Sequence, residues 1–185
     1  MSVPSNNLRP LTRFVTGHNS ADGKSVFESA AVNESPPVIN YPGGMQIAFY
    51  YGTSGFPVDL SNDGDIKIYH KMIQNPPGIA VLNGSAARVI DFPPACTTPM
   101  HRSMSLNYNF VIEGEVEVIL DSGEKRILKR GDGLVQRAIN HAWRNTSQTE
   151  WARITAVVLP VREFEVAERQ ITANLPPRTK QGGSH

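Results

Sequence analysis

The stretch Phe110-Val111-Ile112-Glu113-Gly114-Glu115-Val116-Glu117-Val118-Ile119-Leu120, followed by Asp121-Ser122-Gly123 and Lys125 to Leu128, decides the fold. From Gly114 onward apolar and charged residues alternate with period two, the mark of a strand with one buried face, and Asp121-Ser122-Gly123 turns the chain into a second strand. A hairpin is expected here, with Glu113, Glu115 and Glu117 as charges on its surface. Downstream, Arg130-Gly131-Asp132-Gly133 forms another turn, and Leu134 to Arg137, Ala142-Trp143 and Ala152 to Leu159 read as further short strands. Upstream, Ile66-Lys67-Ile68-Tyr69-His70 alternates and reads as a strand, as do Met45 to Tyr51 and Ala87 to Phe92, the last stopped by Pro93-Pro94. Thr12 to Thr16 and Ser25 to Phe27 flank the turn-prone His18 to Gly23 as an N-terminal hairpin. Many short strands between turn residues imply an all-β sandwich or barrel. Charges with some apolar spacing over Phe164 to Ala173 predict a short C-terminal helix, stopped by Pro176-Pro177.

The chain has 185 residues and 20.3 kDa, 39% hydrophobic and 19% charged, which suits one domain. That domain is expected over 11–175, with its core over 87–159, between flexible tails at 1–10 and 176–185. Eighteen Lys and Arg against seventeen Asp and Glu leave a net charge of +1, so no global field draws the protein to nucleic acid or an anionic membrane. No apolar run reaches membrane-spanning length and the first ten residues lack a basic, apolar leader, so a cytoplasmic protein is expected. Cys96, the single cysteine, reads as a small buried hydrophobe.

Two clusters carry possible chemistry. On an unbroken strand His101, Ser103, Ser105 and Asn107 share one face, and His141, Trp143 and Asn145 share another. If the two strands oppose each other, both imidazoles line one space, and the Trp143 indole suits its wall. His18 and His70 stand apart and read as ordinary histidines.

In these segments the sequence resembles the cupins, through Pro99-Met100-His101-Arg102-Ser103, Leu106-Asn107-Tyr108, Gly114-Glu115, Gly131-Asp132 and His141-Ala142-Trp143-Arg144-Asn145. The first cupin motif runs His-x-His, an acidic residue four positions on and a Gly seven further; the positions here are His101, Ser103, Asn107 and Gly114. The second motif is met by Gly131, His141 and Asn145, one residue short, with Arg137 and Ala138 where Pro and Gly are usual. The likeness is greatest to small single-domain cupins, many of them fungal and some in polyketide or other secondary-metabolite pathways.

This resemblance implies a double-stranded β-helix (jelly-roll) barrel with added N-terminal strands, a small-molecule substrate and a homodimer, without nucleic-acid or membrane partners. A full cupin site offers three imidazoles and a carboxylate; Ser103 and Asn107 replace two of these donors with a hydroxyl and an amide, which hold Fe²⁺, Mn²⁺ or Zn²⁺ weakly. No cofactor is therefore expected, and a metal, if bound, would sit on His101, His141 and Asn107. What remains is an acid and base pair, His101 and His141, near its working pH. Tyr108 is a further catalytic candidate for polarising a carbonyl, reaching the cavity only if its strand bulges. Ser103, Asn107, Trp143, Arg102 and Arg137 are candidates for substrate binding. The expected activity is a lyase or isomerase of secondary metabolism, acting on a polyketide-like or aromatic carbonyl compound by dehydration, decarboxylation or cyclisation. The alternatives are a metal-dependent oxygenase or hydrolase and a non-catalytic small-molecule binder.

Overall fold

The computed structural model describes residues 4–28 and 35–175. Among these the chain forms β1 (Thr16–His18), β2 (Ser25–Phe27), β3 (Val38–Asn40), β4 (Gln46–Ser54), α1 (Gly64–Gln74), β5 (Gly84–Phe92), β6 (Ser105–Glu113) and β7 (Glu115–Leu120). It continues through β8 (Lys125–Lys129), β9 (Gly133–Arg137), β10 (His141–Asn145), β11 (Ala152–Pro160), β12 (Phe164–Val166) and β13 (Arg169–Ile171). A six-stranded antiparallel sheet in the order β3-β4-β5-β11-β6-β9 faces a three-stranded sheet, β10-β7-β8. This is the expected cupin barrel, mostly β, with its core between the two sheets.

Period-two burial builds that core. On β6, Ser105, Asn107, Asn109 and Val111 are buried while Tyr108, Phe110 and Ile112 are exposed. Val111 joins Phe92, Val116, Val118, Leu128, Trp143, Ala152 and Ile154 in one apolar cluster. Burying such side chains contributes roughly 1.5–3 kcal/mol each. The β6–β7 connection turns at Gly114, whose φ of +69° and close approach to Ala152 leave no room for a side chain.

The second cluster, Phe49, Tyr69, Val81, Ala86, Ala156 and Val158, is closed by α1. Here the strand expected over Ile66–His70 is instead part of that helix. Ile66 and Tyr69 are buried and Met72 and Ile73 pack in the cluster that holds Tyr69, so the three- and four-residue spacing governs and the local alternation is incidental. The helix expected over Phe164–Ala173 is likewise absent: β12 and β13 form a hairpin through Ala167 and Glu168, both at positive φ. The expected stop at Pro176-Pro177 and the tail 176–185 lie outside the described residues.

At the N-terminus β1 and β2 form the expected hairpin as a two-stranded sheet of their own; the strands added to the barrel sheet are β3 and β4. Part of the tail expected at 1–10 is tied down across the outer sheet face. Asn6 Nδ2 donates to Asp91 Oδ2 and Gln46 Oε1, both at 2.8 Å, and Arg153 Nη1 donates to the Arg9 carbonyl at 2.7 Å. Of the three hairpin carboxylates, Glu117 is buried, its Oε2 2.9 Å from Arg144 Nη2 directly across the strand pair. Among the described residues no helix is long and apolar enough to cross a membrane.

Candidate active site

His101 precedes β6 and His141 opens β10, yet the fold joins them in an antiparallel bridge. Each main-chain N–H donates to the other's carbonyl at 2.9 Å, and the rings come to 4.3 Å between centroids. Both Nδ1 atoms are spoken for: His101 Nδ1 meets the Pro99 carbonyl at 2.9 Å and His141 Nδ1 meets the Ile139 carbonyl at 3.1 Å. A neutral imidazole that donates from Nδ1 keeps its lone pair on Nε2, so that nitrogen is the working atom of each ring. Burial, and then the neighbouring His101, hold the pKa of His141 down to about 4. At neutral pH His141 is therefore an uncharged proton acceptor.

Between His101 and the middle of β6 the buried side chains are polar but uncharged. Ser103 and Ser105 are buried, with their hydroxyl oxygens 2.7 Å apart. Asn107 follows on the same face, and its Oδ1 is buried without a hydrogen-bond partner. Directly across from Asn107 lies Gln136 on β9, 1% exposed, whose Nε2 is equally unpartnered. Sequence reading passed over Gln136, although its parity with Leu134 would have placed it on the inner face once β9 was paired with β6.

Trp143 closes the floor. It is buried against Phe92, and the ring of His141 meets it edge-on at 6.1 Å between centroids. Leu120 stands directly opposite His141, as Val118 does opposite Trp143. Leu120 and Val118 also line a cavity of about 390 Å³, together with Leu134, Ile139 and Arg137, at the seam between β8 and β9. Lys125 and Arg126 sit on its rim beside Glu124.

The remaining candidates divide. Tyr108 is 39% exposed on the outer sheet face, and both registers of β6 pass through it without a shift; the bulge it would need is absent, so it does not reach the cavity. Arg102 is half-buried and spent on the frame: its main chain bridges Asn174, and its guanidinium approaches Asp121 at 4.0 Å. Asn145, which shares the parity of His141, is a structural clamp and not a cavity group, as its Nδ2 donates to the carbonyls of Phe92, Pro93 and Glu150 at 3.0, 3.0 and 2.8 Å. Burial pushes the Cys96 thiol up, which leaves it a poor nucleophile.

Among the described residues no group of three or more His, Cys, Asp and Glu side chains could hold a metal ion. The donors left at the cupin ligand positions are two imidazoles and an amide oxygen, since the Ser103 hydroxyl is engaged with Ser105. Divalent transition metals take imidazole, thiolate or carboxylate in nearly all protein sites, so this set does not fit a firmly held ion.

Residues 88–158 match the family model described as Cupin domain. Over 159 residues the chain is 42% identical to phomopsin biosynthesis cluster protein C' of Diaporthe leptostromiformis, covering 86% of this chain and 83% of that protein. It is 33% identical over 177 residues to oryzines biosynthesis cluster protein J of Aspergillus oryzae, covering 94% and 96%. It is 44% identical over 144 residues to the cupin-domain-containing oxidoreductase virC of Hypocrea virens, covering 78% and 72%.

Proposed function

We propose, for a chain that belongs to the cupin family, that the barrel is an enzyme of secondary metabolism that moves protons on an enolisable carbonyl compound through His101 and His141. The biosynthesis-cluster names of its relatives support the metabolic setting. The observation that carries the chemistry is the pairing of two imidazoles, each with Nδ1 engaged by a main-chain carbonyl and Nε2 left to react.

In this reading His141 Nε2 takes a proton from the carbon beside the carbonyl, and the electron pair of that C–H bond moves onto the carbonyl oxygen as an enolate. His101, when it enters the step with a proton on both ring nitrogens, delivers the one on Nε2 at a second position, and the proton gained by His141 passes to solvent or back to His101 before the next turnover. Delivery to carbon gives an isomer; delivery to a departing hydroxyl gives a dehydrated product and water. His141 is a weak base, but its protonated form is a correspondingly strong acid, which suits rapid return of the proton. The apolar side chains opposite and beside His141, namely Leu120, Val118 and Trp143, keep water from quenching the enolate.

A second reading, oxidation or reduction, is favoured by the name of the Hypocrea virens relative. The experiment that separates the two supplies the purified protein, in heavy water, with the metabolite that accumulates when its gene is deleted. Proton transfer predicts either a product that carries solvent deuterium and is otherwise unchanged in composition or lighter by carbon dioxide, or a product lighter by water, formed in each case equally well with a chelator present. His101→Ala and His141→Ala should each abolish it. A product differing by two hydrogens or one oxygen, with activity lost to chelation, would establish the second reading instead.

A further inference from the structure

The barrel interior contains two unpartnered polar atoms of opposite kind on directly opposed residues. Asn107 Oδ1 can only accept a hydrogen bond and Gln136 Nε2 can only donate one, and both are buried without a partner. The two residues are 7% and 1% exposed. Leaving a polar atom buried and unpaired costs about 1–3 kcal/mol, so two of them side by side are an expensive arrangement for a wall with no other task.

The orientation of Gln136 follows from its neighbour. Asn109 Nδ2 donates to the Leu134 carbonyl and to Gln136 Oε1, both at 3.4 Å, which turns the Gln136 oxygen toward Asn109 and leaves its NH₂ group as the loose end. Directly opposed residues in an antiparallel pair hold their Cβ atoms about 4.5–5.5 Å apart. Both loose ends therefore belong to neighbouring side chains on one stretch of the sheet.

We infer that Asn107 and Gln136 together bind a ligand edge that donates from one atom and accepts on a nearby one. A lactam, a cis amide and the enol of a 1,3-dicarbonyl compound all present that edge. Ser103, Ser105, Asn107, Asn109 and Gln136 are all uncharged, so the edge itself is neutral. The inference rests on the proposed use of the barrel interior as the ligand site, and it gives that site a substrate class. It also gives Gln136 the task expected of Tyr108: its NH₂ group donates to the substrate carbonyl, where charge gathers as the neighbouring proton leaves.

The test uses 2-quinolinone, a neutral lactam, against 1-methyl-2-quinolinone, which lacks the N–H, with the intact protein in a titration calorimeter. The wild type should bind the lactam roughly ten-fold or more tightly than its methylated partner, the value of about one buried hydrogen bond. Gln136→Met and Asn107→Leu conserve volume and should each lose about ten-fold in lactam affinity. The melting temperature of Asn107→Leu should hold or rise, because an unpaired buried acceptor is removed, and that of Gln136→Met should hold, because the loss of the long bond from Asn109 is offset by removal of the unpaired NH₂ group. Absence of lactam binding, equal binding of both compounds, or variants that bind normally but melt earlier would overturn the inference. Failure of the proton-transfer reading would be seen in turnover by the histidine variants and would leave this binding result unchanged.

Discussion

His101 and His141 exchange both of their main-chain hydrogen bonds at 2.9 Å, so that residues far apart in the chain hold their rings together through the backbone. The geometry therefore does not depend on the imidazoles themselves, and substitution of either ring should leave its partner in place. The pH dependence follows from the depressed pKa of His141, about 4 in the fold against 6.5 for the free side chain. Between these values the unfolded chain binds a proton that the folded chain refuses, so stability falls as pH drops from 6.5 toward 4 and is fully kept above 6.5. The loss is at most roughly 3 kcal/mol. Urea midpoints measured across this window should fall more steeply for the wild type than for His141→Asn; equal slopes would contradict the assignment.

Asn145 is 1% exposed and satisfies three carbonyls, while its Oδ1 accepts from the Ser147 N–H at 3.0 Å. Asn145→Leu should destabilise the protein by roughly 3 kcal/mol or more, since several buried main-chain groups lose their partner together. Asn145→Asp should do at least as badly, because a carboxylate cannot donate to a carbonyl. Chemical denaturation checks both.

The Asp91–Arg153 pair is buried and bidentate, at 2.6 and 2.7 Å. Removing one partner of such a pair costs about 3–5 kcal/mol because the other charge is left uncompensated. Asp91→Ala should show this loss. It should also take one of the two acceptors from the Asn6 side chain and loosen the N-terminal segment toward limited proteolysis, which mass spectrometry of the fragments would detect.

Tyr108→Phe should leave turnover unchanged, since the hydroxyl faces outward. On that same face Val135, Tyr108 and Val157 lie in one row across three strands, with Phe110 and Ile112 beside them, all exposed.

The barrel was legible in the sequence because Glu115 to Leu120 alternates cleanly and Asp121-Ser122-Gly123 marks its turn. Pairing of the histidines was legible through the spacing of the two motifs. The β12–β13 hairpin was not, because its turn residues, Ala167 and Glu168, hold positive φ without the Gly or Asn that usually announces it. Helix α1 was hidden for a different reason: Ile66 and Ile68 alternate with polar residues, while the burial that decides the matter falls on Ile66 and Tyr69. Gln136 carried no motif, and its importance depends on which residue of β6 stands opposite it.

The N-terminal segment has one more implication, for how the protein is made. The Arg9 carbonyl receives its hydrogen bond from Arg153, a partner 144 residues later. On the ribosome this bond cannot form until Arg153 has emerged, long after Gln46 and Asp91 have become available to the Asn6 side chain. A nascent chain arrested before Arg153 would hold this segment through Asn6 alone.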